Sequence, residues 1–151
     1  MRIVLGSDDA GAPLRQAVHR HLESLGHEVI DVGVDDDSRA YPSIAFDVAE
    51  RIAAGDEQRA ILFCGTGIGV AIAANKVPGV YAALCHDTYS AERARKSNNA
   101  QILTMGARVI ESELATEIVD VWLASEFEPG RSTPKIAELA AGEKRYAQAH
   151  Q

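Results

Sequence analysis

Short apolar runs alternate with segments of helical periodicity along most of this chain. The apolar runs have the length of buried strands and lie at residues 2–5, 28–32, 60–63, 80–84 and 101–105. Strands that alternate with helices pair in parallel, because each helix returns the chain to the same end of the sheet. The pattern therefore predicts an α/β fold with a doubly wound, five-stranded parallel sheet and helices on both faces.

The segments between these runs repeat apolar residues every three or four positions. Such repeats follow Pro13 and Pro42, and proline suits the first turn of a helix. Helical character is also present over 70–76 and around 114–122. After Gly130 the core pattern breaks, and residues 132–146 are predicted to form a charged helix of modest apolar content. We expect this C-terminal tail, residues 129–151, to pack on a neighbouring subunit.

Composition narrows the class of protein. With 151 residues, of which 46% are hydrophobic and 25% charged, the chain can bury one core, so residues 1–151 are treated as a single domain. A net charge of −7 argues against a nucleic-acid partner, since such proteins cluster Lys and Arg against phosphates. No apolar run reaches the roughly 18 residues of a membrane span. Two cysteines without paired or metal-type spacing, and an N-terminus unlike a signal peptide, predict a cytoplasmic protein.

A glycine-rich loop follows the third predicted strand, at the edge where doubly wound sheets bind ligands. It starts at Cys64 and has glycine at every second position, at Gly65, Gly67 and Gly69. Alternate glycines expose backbone N–H groups that can bind an anion, although a tight packing turn uses the same residues. The loop lacks the Gly-Lys-Ser/Thr of a Walker sequence, and Val70 breaks the dinucleotide pattern.

Two cysteines and two aspartates lie at predicted strand ends. A thiol such as Cys64, beside a helix N-terminus, can be activated as a thiolate, whereas most cysteines are small buried hydrophobes. The residues alone leave both roles open for Cys64, and Cys85, which ends an apolar run, fits the hydrophobe better. Asp8 and Asp9 follow the first strand, where a carboxylate can contact a ligand, cap the next helix, or do both.

Cations recur in the later loops and in the tail. Arg108 follows the last predicted strand, and Arg131 and Lys135 flank the start of the tail helix. Ser97 and Asn98 follow a further basic stretch, residues 93–96. Each cation alone is typical of a solvated surface. Together, in an acidic protein, they indicate a phosphate clamp, because Arg fits phosphate bidentately.

Several short motifs occur in a characteristic order along the chain. They are Gly6-Ser7-Asp8, Tyr41-Pro42, Cys64-Gly65-Thr66-Gly67-Ile68-Gly69, Ala73-Ala74-Asn75-Lys76, Tyr89-Ser90-Ala91, Asn98, Gly106-Ala107-Arg108 and Gly130-Arg131. This set resembles the ribose-5-phosphate isomerase B and galactose-6-phosphate isomerase family over almost the whole chain. The resemblance implies a Rossmann-like or flavodoxin-like sheet, and a homodimer or homotetramer with active sites between subunits. It also implies that a small sugar phosphate is isomerised through a 1,2-enediol, without a metal or another cofactor.

The resemblance further implies roles for single residues. Cys64 matches the base that moves a proton between C1 and C2, and Thr66, with the loop amides, matches the group that stabilises the enediolate oxygen. Some family members use a glutamate at the position of Val70, so cysteine is the base that the pattern leaves here. The remaining matches are to sugar-contacting positions, at Asp8, Tyr41 and Asn98, and to phosphate-binding positions, at Arg108, Arg131 and Lys135.

Departures from the family pattern bear on the substrate. Histidine is usual at the positions of Asp9 and Ser97, and the second histidine opens the furanose ring, a step that needs an acid-base group. A tetrose with its phosphate on C4 cannot cyclise, so we hypothesise that erythrulose 4-phosphate and erythrose 4-phosphate are the substrate pair. At the phosphate end, Ser132 replaces a histidine and Lys135 an arginine. His86, after the fourth strand, is an alternative ring-opening group.

Three other functions stay open at the level of sequence. The chain could interconvert ribose 5-phosphate and ribulose 5-phosphate. It could be one subunit of a hetero-oligomeric isomerase in which another chain supplies the missing histidines. It could also be a nucleotide-binding module, which the glycine loop alone supports.

Overall fold

The computed structural model describes residues 1–149, which form a five-stranded, all-parallel sheet with helices on both faces. The predicted fold class is therefore confirmed. The strands are shifted from the apolar runs by two residues at most, because hydrogen bonding rather than hydrophobicity sets their ends. They are β1 (Arg2–Ser7), β2 (Glu28–Asp31), β3 (Ala60–Cys64), β4 (Ala82–Leu84) and β5 (Ile102–Gly106).

Six helices connect and follow the strands within the described residues. One of them, Thr88–Lys96, is not predicted by the apolar periodicity, because its core contacts are made by two alanines, Ala91 and Ala94. The helices are α1 (Ala12–Ser24), α2 (Tyr41–Ala53), α3 (Ile68–Ala74), α4 (Thr88–Lys96), α5 (Ser112–Ala124) and α6 (Thr133–Ala149).

The strand order, β2-β1-β3-β5-β4, places the reversal of winding between β1 and β3. The chain builds outward from β1 to β2 and then returns to the other side of β1. At such a switch point the loops diverge to opposite faces and leave a crevice beyond the carboxyl ends of the two strands. Asp8 follows β1 and Cys64 ends β3, so both lie at this crevice.

Alternate residues of the central strands feed two separate cores. Ile3 and Leu5 pack on one face of the sheet with α1 and α5, whereas Val4 packs on the other with α2. The same alternation runs through β3, where Phe63 faces the first core and Cys64 the second. Burial on both faces explains why these strands are continuous apolar runs.

The C-terminal helix α6 has a different relation to the fold. None of its described residues is buried, and Leu139 and Tyr146 are more than half exposed. Glu143 accepts a hydrogen bond from the backbone of Gly79 at 2.9 Å. The expectation that the tail packs on a neighbouring subunit stays a prediction.

Candidate active site

A cavity of about 430 Å³ opens beyond the carboxyl ends of β1 and β3. It combines two apolar side chains of α3 with most of the predicted catalytic loop, and with a carboxylate, a phenol and a guanidinium. The lining residues are Asp8, Ala10, Tyr41, Cys64, Gly65, Thr66, Ile68, Gly69, Ile72 and Arg108.

Cys64 lies on the wall of this cavity. Its side chain is buried, with 6% of the residue exposed, and its sulfur accepts a hydrogen bond from the backbone N–H of Gly67 at 3.1 Å. The hydroxyl of Thr66 accepts a weaker one from Ile68 at 3.3 Å. Two N–H groups of the glycine loop are therefore used within the loop, where they orient the thiol and the hydroxyl.

The glycine at position 67 is required by the path of the backbone. Gly67 has φ +79°, in the left-handed region that side chains disfavour, and a Cβ there would come within 2.8 Å of the Met105 backbone. Thr104 on β5 donates to the Gly67 carbonyl at 2.9 Å. The loop is thus pressed onto the end of β5, which holds Cys64 at the cavity.

Tyr41 is placed by the packing of two helices. It is the first residue of α2, and its ring lies over Gly69 in the first turn of α3, where a Cβ would overlap the ring. Tyr41 itself is 39% exposed and lines the cavity beside Gly69. The third glycine of the loop is therefore needed to make room for Tyr41.

The segment that leads to Tyr41 is held by Arg15, a residue that the sequence analysis did not single out. Arg15 is buried, and its guanidinium donates to Ser7, to the Val34 carbonyl at 2.9 Å and to Asp35. It also pairs with Asp31. The sequence signal for the role of Arg15 is its position on the apolar stripe of α1. A charged side chain buried among apolar residues needs polar partners.

The two aspartates of the first loop are placed differently. Asp8 is half-buried, accepts a hydrogen bond from Gly11 at 3.0 Å and lines the cavity, so it caps the turn before α1 and faces a ligand site at once. Asp9 is exposed, and its carboxylate accepts from the adjacent Ala10 at 3.0 Å. Asp9 does not line the cavity.

Arg108 reaches the cavity from the turn after β5. Its backbone N–H donates to the Gly65 carbonyl, and the N–H of Ala107 donates to the Cys64 carbonyl, both at 2.9 Å. The guanidinium passes so close to Gly65 that a Cβ there would come within 3.3 Å of its Nη1. One cation therefore lies next to the thiol-bearing loop, where it can hold an anionic group.

The remaining predicted site residues lie elsewhere in the same chain. A second cavity, of about 410 Å³, combines Ser97 with Arg131 and Lys135, and also includes Arg93, Lys96, Glu128, Pro129 and Ser132. Asn98 lines neighbouring cavities with α6 and with Cys85. None of these residues lines the Cys64 cavity.

Topology explains this separation. β4 and β5 are parallel neighbours, so α4 must bring the chain from the carboxyl end of β4 back to the amino end of β5. Its last turn, with Ser97 and Asn98, therefore lies near the start of β5. Cys64 pairs with Gly106 at the far end of that strand, about 13 Å away at the usual rise per residue. The tail joins the amino end, because Glu128 donates its N–H to the Lys96 carbonyl.

One of the basic residues before Ser97 is not a solvated surface charge. Arg95 is 3% exposed, and its guanidinium donates to the Ala100 carbonyl at 2.9 Å and pairs with Glu126. Arg59, which is also buried, pairs with the same carboxylate. This pair of arginines anchors the end of α4 to the segment before the tail.

Cys85 and His86 follow β4, and their surroundings differ from those of Cys64. Cys85 is buried, which raises the pKa of its thiol to about 12 and keeps it protonated near neutral pH. The Nε2 atom of His86 accepts a hydrogen bond from the backbone N–H of Gly106 at 3.0 Å. Neither residue lines the Cys64 cavity.

Metal-binding clusters and membrane-spanning helices are both absent from residues 1–149. No group of three or more His, Cys, Asp and Glu side chains in this range is arranged to hold a metal ion. Nor does any helix of this range combine the length and apolar character of a membrane span.

Comparisons with known proteins identify relatives along nearly the full chain. Residues 3–139 match the family model described as Ribose/Galactose Isomerase. A D-erythrulose-4-phosphate isomerase of Pectobacterium atrosepticum is 49% identical over 141 residues, which are 92% of this chain and 93% of the relative. A ribose-5-P isomerase B of Listeria innocua is also 49% identical, over 90% of this chain and 93% of its own. The solved structure of Clostridium thermocellum ribose-5-phosphate isomerase B matches with a TM-score of 0.93 at 42% identity, covering 97% of this chain and 99% of that one.

Proposed function

This chain belongs to the ribose/galactose isomerase family and is a sugar-phosphate isomerase, and we propose that it interconverts erythrulose 4-phosphate and erythrose 4-phosphate with Cys64 as the base. The observation that carries the mechanism is the position of Cys64 on the wall of a cavity that also contains Thr66, Asp8, Tyr41 and Arg108. A thiol, a hydroxyl, a carboxylate and a guanidinium around one small cavity are the groups that this reaction needs.

The reaction moves one proton between two adjacent carbons. Starting from the ketose, the Cys64 thiolate removes a proton from C1, the electron pair forms the C1–C2 double bond, and the C2 carbonyl oxygen becomes the enediolate oxygen. Thr66 stabilises that oxygen, and a proton moves between the two oxygens. The thiol then returns its proton to C2 while C1 becomes the aldehyde. Atoms and charge balance without an external oxidant or reductant.

The structure supports cysteine rather than the residue at position 70 as the base. Val70 is fully buried in the core of α2 and α3 and carries no titratable group. Cys64 reaches the cavity and is oriented by the Gly67 N–H at 3.1 Å. The second cysteine, Cys85, has its pKa raised to about 12 by burial and holds its proton too firmly to serve.

Individual residues, rather than overall sequence identity to the relatives, favour a tetrose phosphate as the substrate. The tetrose-phosphate and pentose-phosphate relatives are equally identical to this chain, at 49% each. The family usually has histidine at the positions of Asp9 and Ser97, the second histidine opens the sugar ring, and the hydroxyl of Ser97 lacks a pKa suited to that proton transfer near neutral pH. An open-chain tetrose phosphate needs no ring opening, so it suits this pair of residues.

A second copy of the chain completes the site in this proposal. Asn98, Arg131 and Lys135 lie toward the amino ends of the strands, whereas Cys64 lies at their carboxyl ends. Four cationic side chains and a single carboxylate line the second cavity, which contains Arg131 and Lys135, in a chain with a net charge of −7. Such a cavity suits a phosphate, and a homodimer or homotetramer brings it to the neighbour's thiol.

Two free cysteines and a phosphorylated substrate favour a cytoplasmic location.

The test compares substrates and restores the missing histidine. Purified enzyme is assayed with erythrulose 4-phosphate, ribose 5-phosphate and a hexose 6-phosphate, and we expect kcat/KM to be highest for the tetrose. The matched variant Ser97→His should raise kcat/KM for ribose 5-phosphate while changing that for the tetrose little. A clear preference of the unmodified enzyme for ribose 5-phosphate would defeat the tetrose proposal and leave pentose isomerisation as the function. Activity that appears only when a second, different chain is added would instead indicate a hetero-oligomer.

A further inference from the structure

The pairing between β4 and β5 ends in an unusual way. Along the edge of β5 that faces β4, alternate residues form the backbone hydrogen bonds. Ile102 donates its N–H to the Tyr81 carbonyl, and the Thr104 carbonyl accepts from the N–H of Cys85, both at 3.2 Å. The next residue in this series is Gly106, but β4 has already ended at Leu84. Its N–H donates instead to the Nε2 atom of His86 at 3.0 Å. An imidazole thus occupies the place of the next backbone acceptor.

Gly106 begins the turn after β5, and this turn is hydrogen-bonded to the active-site loop that starts at Cys64. The following two N–H groups, of Ala107 and Arg108, donate to the Cys64 and Gly65 carbonyls at 2.9 Å. Gly106 is packed so closely on the loop that a Cβ would come within 2.6 Å of Thr66 Cα. Any shift of Gly106 is therefore transmitted to Thr66 and to Arg108.

We propose that His86 is a positioning residue for the isomerase reaction: its neutral ring holds the Gly106 N–H, and with it the turn that aligns Arg108 and Thr66, and protonation of the ring releases that turn. The inference rests on the proposed function only for its activity readout. It assigns His86 a different role from ring opening, because the Nε2 lone pair is already committed to the backbone.

The chemistry of imidazole makes the interaction sensitive to pH. A neutral ring that accepts at Nε2 carries its proton on Nδ1, whereas an imidazolium has N–H groups at both positions and accepts nothing. Protonation would therefore set two donors against each other at a distance of 3.0 Å. The Gly106 N–H would lose its partner, which is costly for a backbone group of a buried residue.

The surroundings determine where this change occurs. Burial lowers the pKa of His86, and this outweighs the opposing effect of the neighbouring Asp87 carboxylate. Asp87 itself is held ionised by hydrogen bonds from Ser90, which lower its pKa. On the turn that faces the ring, the charged side chain is Arg108, two residues beyond Gly106. The ring is thus neutral at neutral pH, and the turn is released only on the acid side of the ordinary histidine range.

The experiment compares the full-length enzyme with His86→Gln and His86→Leu. Glutamine can present its Oε1 atom near the position of Nε2 and does not titrate, so it keeps the acceptor at every pH, whereas leucine removes it. KM and kcat for the preferred sugar phosphate are measured from pH 5 to 8. The substrate phosphate titrates in the same range, at about pH 6, so the enzymes are compared with one another at each pH.

We expect the glutamine variant to stay within about threefold of the unmodified enzyme at pH 7.5 and to lose less kcat/KM on acidification. The leucine variant should lose about tenfold or more in kcat/KM at all pH values, since an unpaired N–H leaves the turn mobile. Equal acid losses in the unmodified and glutamine enzymes would overturn the proposal. So would a folded leucine variant with unchanged kinetics.

A spectroscopic readout separates this inference from the proposed function. Long-range ¹H–¹⁵N spectra of the ring should show the proton on Nδ1 at pH 7.5. The Gly106 amide resonance should shift as the ring titrates, and not in the glutamine variant. A proton on Nε2, or a Gly106 resonance indifferent to the titration, would overturn the inference even in an active enzyme. If no sugar phosphate is turned over, these spectra still decide the role of His86.

Discussion

At the scale of single residues, two cysteines at strand ends have opposite environments. Cys64 reaches a cavity and its sulfur accepts a hydrogen bond from Gly67, whereas Cys85 is buried and its thiol, among the described hydrogen bonds, donates only to the Ala83 carbonyl, at 3.8 Å. The same residue type is therefore proposed as the base in one place and is a small buried hydrophobe in the other. The difference comes from what surrounds the sulfur.

Replacing Cys64 by serine should lower kcat by about 10² to 10⁴, the usual contribution of a positioned base. Exchange of the hydrogen next to the carbonyl with solvent deuterium, followed by NMR, measures the step directly. The matched control is Cys85→Ser, which should retain exchange. Comparable exchange rates in the Cys64 variant and the unmodified enzyme would assign the proton transfer to another group.

The raised pKa of Cys85 predicts a dependence of stability on pH. The unfolded thiol ionises near its ordinary pKa of 9.0, whereas the folded one keeps its proton to about pH 12. The stabilisation is therefore complete below pH 9 and is lost as pH rises toward 12, with a slope of at most about 1.4 kcal/mol per pH unit. Urea unfolding between pH 8 and 11 measures it. Cys85→Ala should flatten the slope but leave the part due to Tyr81, whose pKa burial also raises.

At the scale of elements, the site depends on the contact between α2 and α3. Tyr41 begins one helix, and Gly69 lies in the first turn of the other directly beneath its ring. The contact leaves no room for a Cβ, so the absence of a side chain on α3 determines where the phenol of α2 lies. Arg15 supports the same arrangement, because it hydrogen-bonds both the segment before α2 and Ser7, the residue before Asp8.

Gly69→Ala should separate function from stability at this contact. Alanine in place of glycine favours a helix by about 0.5 to 1 kcal/mol, and the displaced ring of Tyr41 is 39% exposed and free to move. We therefore expect unchanged or slightly higher stability, with kcat/KM reduced about tenfold, mainly through KM. The double variant with Tyr41→Ala is the control, because the glycine change should add little once the ring is gone. Additive losses would show that Gly69 acts by another route.

At the scale of the whole molecule, one chain carries the two halves of the proposed site at opposite ends of its sheet. The thiol half lies beyond the carboxyl ends of β1 and β3, and the cationic half lies where α4 and the tail meet. In the symmetric dimer that we propose, each half meets the other half of the partner's site. The unburied helix α6, with Leu139 and Tyr146 exposed, is available for such a contact.

Mixing two inactive variants tests this arrangement. Cys64→Ser damages one half and Arg131→Glu the other, so a hybrid dimer has one doubly damaged site and one intact site. After unfolding and refolding an equal mixture, random pairing should restore about one quarter of the unmodified activity, since half of the dimers are hybrids with one working site. Each variant refolded alone is the control. No recovery in a mixture shown to contain hybrids would place each complete site within one chain.

Much of this protein is determined by its sequence alone. The strands are recognisable because residues such as Ile3 and Val4 are buried on opposite faces, which makes each strand a continuous apolar run. Regular alternation predicts the doubly wound sheet and places Asp8 and Cys64 at the carboxyl ends of strands, although the strand order that puts both at one crevice comes from the structure. The glycine loop is recognisable because its backbone path excludes side chains.

Only the tertiary structure decides the rest. α4 is hidden from the periodicity because it packs through alanines, and the burial of Arg15 and Arg95 depends on partners far along the chain. The bond between His86 and Gly106 joins residues 20 positions apart. Sequence order likewise suggests one cluster of cations and amides, whereas the return of α4 places Asn98 far from Cys64. A linear pattern reports the burial and backbone path of each segment, but distances between segments exist only after the sheet has ordered them in space.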